Sequence, residues 1–406
     1  MEDNTCTHCN PHISNPSHIF ERVVNTLFPL ATLFRPIERL LHVSPRLHRA
    51  TNKAITRGFV RTLLMFRIFK EIDVKDSDED IHSRSLIIVK EAKGRNIPIK
   101  ALKLFGKTET GLFSMEVNGN KKIFEGLPYV DIEDISYVGF GDKWNLKSLL
   151  RKKGLPYPEG GVFQNHKQAL RYTEENIGFP VVVKPRSGSL SRHTMCNITT
   201  DRGLREAIRV AKLISREFIV EEFIPGGVHR ITLVDGKIVA SCLREPPNVI
   251  GDGEHTVQEL TNIKNKDPRR GHAHQKNFTL HKIQLDRRAR MLLLQQGISI
   301  ETVVPRGKKI YLHDKVTLSA GADIHDTTDM IHEDNSSLFR SVYDVCDAPV
   351  IGIDFIVKDI SQSHYTQRCA IIEVNSLPYI DMHHYPVTGR PRNVAGDILD
   401  YCVSRW

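Results

Sequence analysis

The sequence predicts an α+β fold built from more than one packed unit. Three observations predict it. Short apolar runs at 180–185, 218–223, 350–357 and 369–374 read as strands, while 145–153, 167–176 and 204–215 carry helical spacing. Two of the strand-like runs hold an acid among apolar neighbours, Asp354 in one and Glu373 in the other. The 406 residues exceed what one ordinary core organises.

The elements follow in order. Residues 1–18 are polar and read as a disordered end, and 19–70 read as two or three basic amphipathic helices. These helices are expected to pack on the protein body or a sister subunit, with an anionic membrane surface as the alternative. The acidic run 73–80 reads as a linker. Residues 85–94 have helical spacing, 98–105 alternate like a strand, and Asn118-Gly119 between 112–117 and 121–124 signals a tight hairpin. This gives an N-terminal extension at 1–70, a small α/β unit at 71–140 and a main domain at 141–406. In the main domain, Gly154 and Gly178 stop helices, and Asp235-Gly236 joins two strands at 229–234 and 237–243.

Composition narrows the function. Hydrophobic content of 40% and charged content of 26% suit a globular protein, and the net charge of +9 suits anionic ligands. No nucleic-acid module is present, so a nucleic-acid partner is not expected. Seven cysteines, scattered and odd in number, point to a reducing cytoplasm. Cys6, His8, Cys9, His12 and His18 have spacing compatible with a metal, but a disordered end accounts for them better. No Gly-Lys-Ser/Thr follows a glycine loop, as a Walker A motif requires, and no Gly-x-Ser-x-Gly elbow occurs.

The chemistry concentrates in the main domain. Lys184 ends the apolar run Val181-Val182-Val183, where an ammonium needs a charged partner. The loop Arg186-Ser187-Gly188-Ser189-Leu190-Ser191-Arg192 is rich in small donors suited to phosphate oxygens. The run Glu221-Glu222-Phe223-Ile224-Pro225 leaves a strand into a turn and presents backbone groups and apolar side chains to a flat ring. Asp354 and Glu373 are hard oxygen ligands in apolar strands, and Asn375 shares the Glu373 face by alternation. Taken singly, each acid fits a structural ion pair equally well.

The ordered set Lys143, Val-Val-Val-Lys-Pro at 181–185, Val-Glu-Glu-Phe-Ile at 220–224, Gly-Ile-Asp at 352–354 and Ile-Glu-Val-Asn at 372–375 resembles the ATP-grasp fold. The resemblance covers about 142–402 and is to the ATP-grasp domain of cyanophycin synthetase and the glycine-adding domain of bifunctional glutathione synthetase. It implies two α+β lobes with ATP between them, preceded by the small α/β domain and the helical extension. It implies that Lys143 and Lys184 contact ATP phosphates, helped by Ser189, Ser191 and Arg192. Glu221, Glu222, Phe223 and Ile224 would hold the adenine, and Asp354, Glu373 and Asn375 would bind Mg²⁺ or Mn²⁺. Arg230 and Arg244, with Lys184, would steady the transferred phosphate. The implied reaction is ADP-forming amide ligation on an amino acid or short peptide, by a stand-alone and homo-oligomeric enzyme. A regulatory ATP-binding scaffold and a phosphotransferase are the alternatives.

The departures from the family are local. The relatives' Asn-His-Gly-Arg-Gly loop reads Ser189-Leu190-Ser191-Arg192-His193 here, and their Ser-Thr-Gly-Gly loop reads Leu318-Ser319-Ala320-Gly321-Ala322. Val228 stands where the relatives often place an acid near the ribose. Arg244, Arg270, Arg390 and Arg392 suggest an anionic carboxylate substrate, and His383 is expected near the site.

Overall fold

The computed structural model describes residues 69–75, 78–79, 81–104, 111–129, 143–186, 193–346 and 348–406. The expected helices at 19–68, the Cys6–His18 cluster, and Ser189, Ser191 and Arg192 lie outside the described residues. So does the side chain of Lys143.

The first unit is a four-stranded antiparallel sheet in the order β1-β2-β3-β4. It holds β1 (Phe69–Ile72), helix α1 (Ser83–Gly94), β2 (Ile99–Leu104), β3 (Leu112–Val117) and β4 (Asn120–Glu125). The end of the segment expected to be helical is therefore strand: Phe69–Ile72 pairs with β2. The Asn118-Gly119 turn works as expected, with φ of 52° and 75° at its two central residues. Phe113 and Phe124 stack at 5.6 Å in the core of this sheet. Each such buried side chain contributes about 1.5–3 kcal/mol.

Next come α2 (Lys143–Lys152), β5 (Gly160–Phe163), α3 (His166–Tyr172), β6 (Val181–Pro185), β7 (Met195–Ile198), α4 (Asp201–Ala211) and β8 (Phe218–Glu222). Their strands form an antiparallel sheet in the order β5-β8-β6-β7, with α3 and α4 packed on it through Ala169, Leu204, Ala207 and Ile208. Helix α4 starts where Thr200 accepts the Gly203 amide, a side-chain N-cap.

The largest sheet has the order β15-β10-β9-β16-β17. Its strands β9 (Gly227–Val234) and β10 (Lys237–Glu245) form the expected hairpin, with Asp235 and Gly236 at φ 48° and 76°. An excursion then leaves the sheet through β11 (Asn248–Ile250), α5 (Val257–Lys264), β12 (Arg270–Gly271), β13 (Leu280–His281), α6 (Arg287–Gln295) and β14 (Lys309–Tyr311). It carries its own small core around Val257, Ile283, Leu293 and Ile310. The chain returns as β15 (Asp323–Asp326), α7 (Glu333–Asp344), β16 (Val350–Val357) and β17 (Cys369–Asn375). Helices α8 (Asp381–His384) and α9 (Val394–Arg405) close the described chain.

Strand alternation gives the two faces of this sheet different jobs. Ile231, Leu233, Ile351, Ile353 and Phe355 pack on one side against α7 and α2. The opposite side carries Arg230, Thr232 and Asp354 towards α8. Val394, Ala395, Ile398, Leu399 and Cys402 of α9 join the core of the first sheet, together with Ile88, Met115 and Phe124. No helix among the described residues is long and apolar enough to cross a membrane.

Burial favours the neutral form of several histidines among the described residues. It lowers His82, His229, His313 and His384 to about 4, and His383 to about 3. Unfolding returns each to the ordinary value of about 6.5. In the window between, the unfolded chain binds protons that the fold excludes, so stability rises with pH. The contribution is complete above about 6.5 and is lost as the pH falls towards 4. The melting temperature is expected to drop progressively between pH 6.5 and 4, as read by scanning fluorimetry. A melting temperature that holds steady or rises on acidification across this window would contradict it.

Candidate active site

The five-stranded sheet brings five polar or ionisable side chains into one transverse row. Asp326 of β15 lies opposite Cys242 of β10, which lies opposite Arg230 of β9. Arg230 lies opposite Asp354 of β16, and Asp354 opposite Glu373 of β17. Residues directly opposite share a face and sit about 5 Å apart. The row thus sets Arg230, Asp354 and Glu373 side by side.

Asp354 is the centre of charge. Arg230 Nε donates to its Oδ1 at 2.5 Å, and Arg244 Nη2 donates to its Oδ2 at 2.7 Å. Burial works to raise the Asp354 pKa, but the two guanidinium groups outweigh it and hold the carboxyl below its usual range. Arg230 experiences the converse: burial opposes its charge, and Asp354 more than restores it. Each arginine keeps a spare donor. Arg230 Nη1 and Arg244 Nε are buried with no hydrogen-bond partner. Spare buried donors are costly, and an anionic oxygen is the partner that removes the cost.

Gly352 makes room for this arrangement. A Cβ there would lie 3.1 Å from Arg230 Nη1 and 2.7 Å from Pro378 Cβ. Across from Gly352 stands Asn375. Glu373 and Asn375 are both half-buried at the end of β17, on the face that Asp354 shares. The donor set of two carboxylates and one amide oxygen is hard and suits a small divalent cation. The spare oxygens belong to Glu373 and Asn375. Those of Asp354 already accept from the arginines, although each carboxylate oxygen has a second lone pair.

Lys184 and Glu221 of the β5-β8-β6-β7 sheet form a second buried cluster with Lys147 of α2. Lys184 Nζ lies 2.7 Å from Glu221 Oε1. Lys147 Nζ pairs with the other carboxylate oxygen, Oε2, and donates to Pro158 O at 2.9 Å. Burial pushes the Glu221 carboxyl up, but Lys184 and Lys147 prevail and keep it ionised. Burial leaves the Lys147 ammonium below its ordinary pKa, with Lys184 adding to the effect and Glu221 opposing it. Lys147 escaped the sequence reading. Its signal was its place one helical turn after Lys143 on α2, the i,i+4 spacing that puts two side chains on one face.

Several expectations need correction. The Glu221 side chain does not stand open to a ring; both its oxygens are taken by lysines. Glu222 accepts from the Glu159 amide at 3.1 Å and pairs with Arg368. The Phe223 amide donates to Pro180 O at 3.1 Å, while Ile224 is buried. Three of the four arginines taken as substrate-seeking are already paired within the fold. Arg244 holds Asp354, Arg270 holds Asp323, and Arg392 holds Asp326 and Asp329. Charge counted along a sequence does not reveal such pairs. His383 Nε2 lies 2.8 Å from Thr232 Oγ1, on the face of Arg230.

Glu245, Asp323 and His325 also converge closely enough to hold a metal ion. Lys264 and Lys309 sit 2.5 and 2.6 Å from Asp323 and Glu245, and Arg270 also pairs with Asp323. Three cations already balance that cluster.

No profile of a known protein family matches the chain. Individual proteins do. The chain is 35% identical over 334 residues to a cyanophycin synthetase of Nostoc sp., covering 81% of this chain and 36% of that protein. A cyanophycin synthetase of Crocosphaera subtropica is 32% identical over 317 residues, covering 77% of this chain and 35% of that one. The bifunctional glutathione biosynthesis protein of Streptococcus mutans is 34% identical over 266 residues, covering 64% and 35%. The chain therefore spans about a third of the length of the curated relatives it matches. Among solved structures, the bifunctional glutathione synthetase of Pasteurella multocida superposes with a TM-score of 0.61 at 22% identity, covering 81% of this chain and 45% of that one. That superposition concerns the fold, and the fold is the one the sequence led to: α+β, of the ATP-grasp type.

Proposed function

We propose that this ATP-grasp chain is an ADP-forming carboxylate–amine ligase that works on an amino acid or a short peptide. The observation that carries the proposal is the row Arg230–Asp354–Glu373, with Arg244 beside it and two buried guanidinium donors left over. Such a row suits the charge that builds up on a phosphoryl group in transfer, where positioning and neutralisation supply most of the catalysis.

In this reading a substrate carboxylate oxygen attacks the γ-phosphorus of ATP, and the bond to the bridging oxygen breaks to release ADP. The amine then attacks the acyl carbon of the resulting acyl phosphate, and phosphate leaves. Arg230 Nη1 and Arg244 Nε supply hydrogen bonds to the phosphoryl oxygens. Lys184 supplies positive charge from the β6 strand, and Lys143 is assigned the same role by resemblance. Asp354, Glu373 and Asn375 would hold Mg²⁺ or Mn²⁺, which supplies further charge neutralisation at the phosphates. Asp354 also fixes the two arginines at its own oxygens. Cysteines 196, 242, 346, 369 and 402 are free thiols, which suits a reducing cytoplasm.

The test is ADP release with ATP, a divalent metal and pooled amino acids, with products read by mass spectrometry. An amide product with one ADP per bond is the expected result. ATP binding without turnover in any pool would sink the ligase reading in favour of a scaffold. A stable phosphorylated product formed without an amine would replace it with phosphotransfer. Glu373→Ala is expected to lower turnover about 100-fold or more, the scale seen when one preorganised charge-stabilising group is lost. Glu373 is only half-buried, so the melting temperature should hardly move.

A further inference from the structure

The first sheet grips the segment that follows the proposed metal ligands. Residues 376–381 leave the end of β17 directly after Asn375. Tyr129, past the end of β4, donates its hydroxyl to Ser376 O at 2.7 Å. Arg84, the second residue of α1, donates Nη1 to Leu377 O at 3.1 Å. The same guanidinium lies over the Tyr379 ring, 4.6 Å from its centroid. The His82 ring meets Tyr379 edge-on at 6.0 Å. Ser83 Oγ lies 2.7 Å from Thr279 Oγ1, which donates to Asp381 Oδ2 at 2.7 Å. Three successive residues of the first unit, His82, Ser83 and Arg84, together with Tyr129, thus hold successive points of one segment, Ser83 acting through Thr279.

That segment reaches the row of charges. Pro378 sits against Gly352, whose other near neighbour is the Arg230 guanidinium. Its far end continues into α8, where His383 meets Thr232. Pro378 and the Arg230 fork thus flank the same glycine, so the segment and the row of charges meet at Gly352. Arg84 is itself held in place. The Gly126 backbone accepts from Ser85 Oγ at 3.1 Å, and a Cβ on Gly126 would lie 3.2 Å from Arg84 Nη2.

We infer that the β1–β4 unit is a positioning frame for the active site, with Arg84 as the residue that sets the 376–381 segment and, through Pro378, the Arg230 fork. This rests on the ligase reading for its catalytic consequence, but its structural content stands apart from that reading. Arg84 touches no reacting atom; it acts through Leu377 and Tyr379.

The experiment uses the full chain and the variants Arg84→Met, Arg84→Lys and Tyr129→Phe. Methionine keeps the apolar stem and removes the fork. Lysine keeps a donor and the charge over the ring. Three readouts are taken: hydrogen exchange of 376–384 against β16, Mn²⁺ affinity by electron paramagnetic resonance, and kcat and KM for ATP. Arg84→Met is expected to speed exchange in 376–384 while β16 stays protected. It should lower kcat about 10- to 100-fold, the scale of a misplacement of about 1 Å, and leave KM for ATP nearly unchanged. Arg84→Lys should recover most of the loss, and Tyr129→Phe should fall between. A segment that exchanges faster with kcat and Mn²⁺ affinity unchanged overturns the inference, as does unchanged exchange. So does a general loss of protection in β16, since that is unfolding rather than positioning. If the parent protein turns over no substrate, the ligase reading fails alone; exchange and Mn²⁺ affinity still decide the role of Arg84.

Discussion

Asp354→Ala is expected to cost about 3–5 kcal/mol of folding stability and to abolish ADP release. The reason is the company Asp354 keeps. It is buried at the centre of β16 and is the anion for both Arg230 and Arg244. Removing one partner of a buried ion pair leaves an uncompensated charge, and here it would leave two. Arg230 already has an unpaired donor and is only 5% exposed, so water cannot readily replace the lost carboxylate. Asp354→Asn separates stability from chemistry. The amide keeps an acceptor for one arginine but brings no negative charge, so stability should fall less while turnover stays lost. Urea unfolding and ADP release on the three proteins check both statements. An alanine variant within about 1 kcal/mol of the parent would mean that the arginines find other partners, and that the row is not held by Asp354.

Glu221→Ala is the second large effect. Its carboxylate is the shared anion of Lys147 and Lys184, with all three side chains nearly inaccessible to solvent. Without it two ammonium groups face each other in a buried sheet, and one must lose its proton or the site must open. A loss of about 3 kcal/mol or more is expected, again on the scale of a broken buried pair. The double variant Glu221→Met with Lys147→Met should recover only part of this, because apolar groups of similar volume often replace a buried ion pair without loss but Lys184 stays buried without its anion. It should not recover ATP turnover, since Lys184 would then lack the partner that orients it. Recovery of stability without activity is the outcome that separates packing from catalysis. Equal recovery of both would show that Lys147 and Glu221 serve the fold alone.

The legible parts of this fold were those written locally. Asn118-Gly119 and Asp235-Gly236 announced hairpins because their turns need positive φ, and the structure has it at all four residues. The β16 and β17 runs were legible because an acid among apolar neighbours is rare enough to notice. Register was not legible. Arg230 and Asp354 are 124 residues apart, and only the assembled sheet sets them opposite each other. The excursion between β10 and β15 was equally opaque, because β12 and β13 have two residues each and show no alternation. Arg270 and Arg392 were misjudged for the same physical reason. Their carboxylate partners, Asp323 and Asp326, lie more than 50 residues away in sequence. Lys147 was overlooked because a lysine on a polar helix looks solvated until the partner Glu221 is folded over it.

Helix α9 has a consequence for synthesis of the chain. The apolar side of the first sheet, with Ile99, Met115 and Phe124, shares its core with Val394, Ile398 and Cys402. A ribosome adds roughly 5–20 residues per second, so that side is made tens of seconds before the helix that shares its core. Over this interval the nascent chain displays a sticky, incomplete layer. Until α9 is made, the core that it shares with the first sheet stays incomplete.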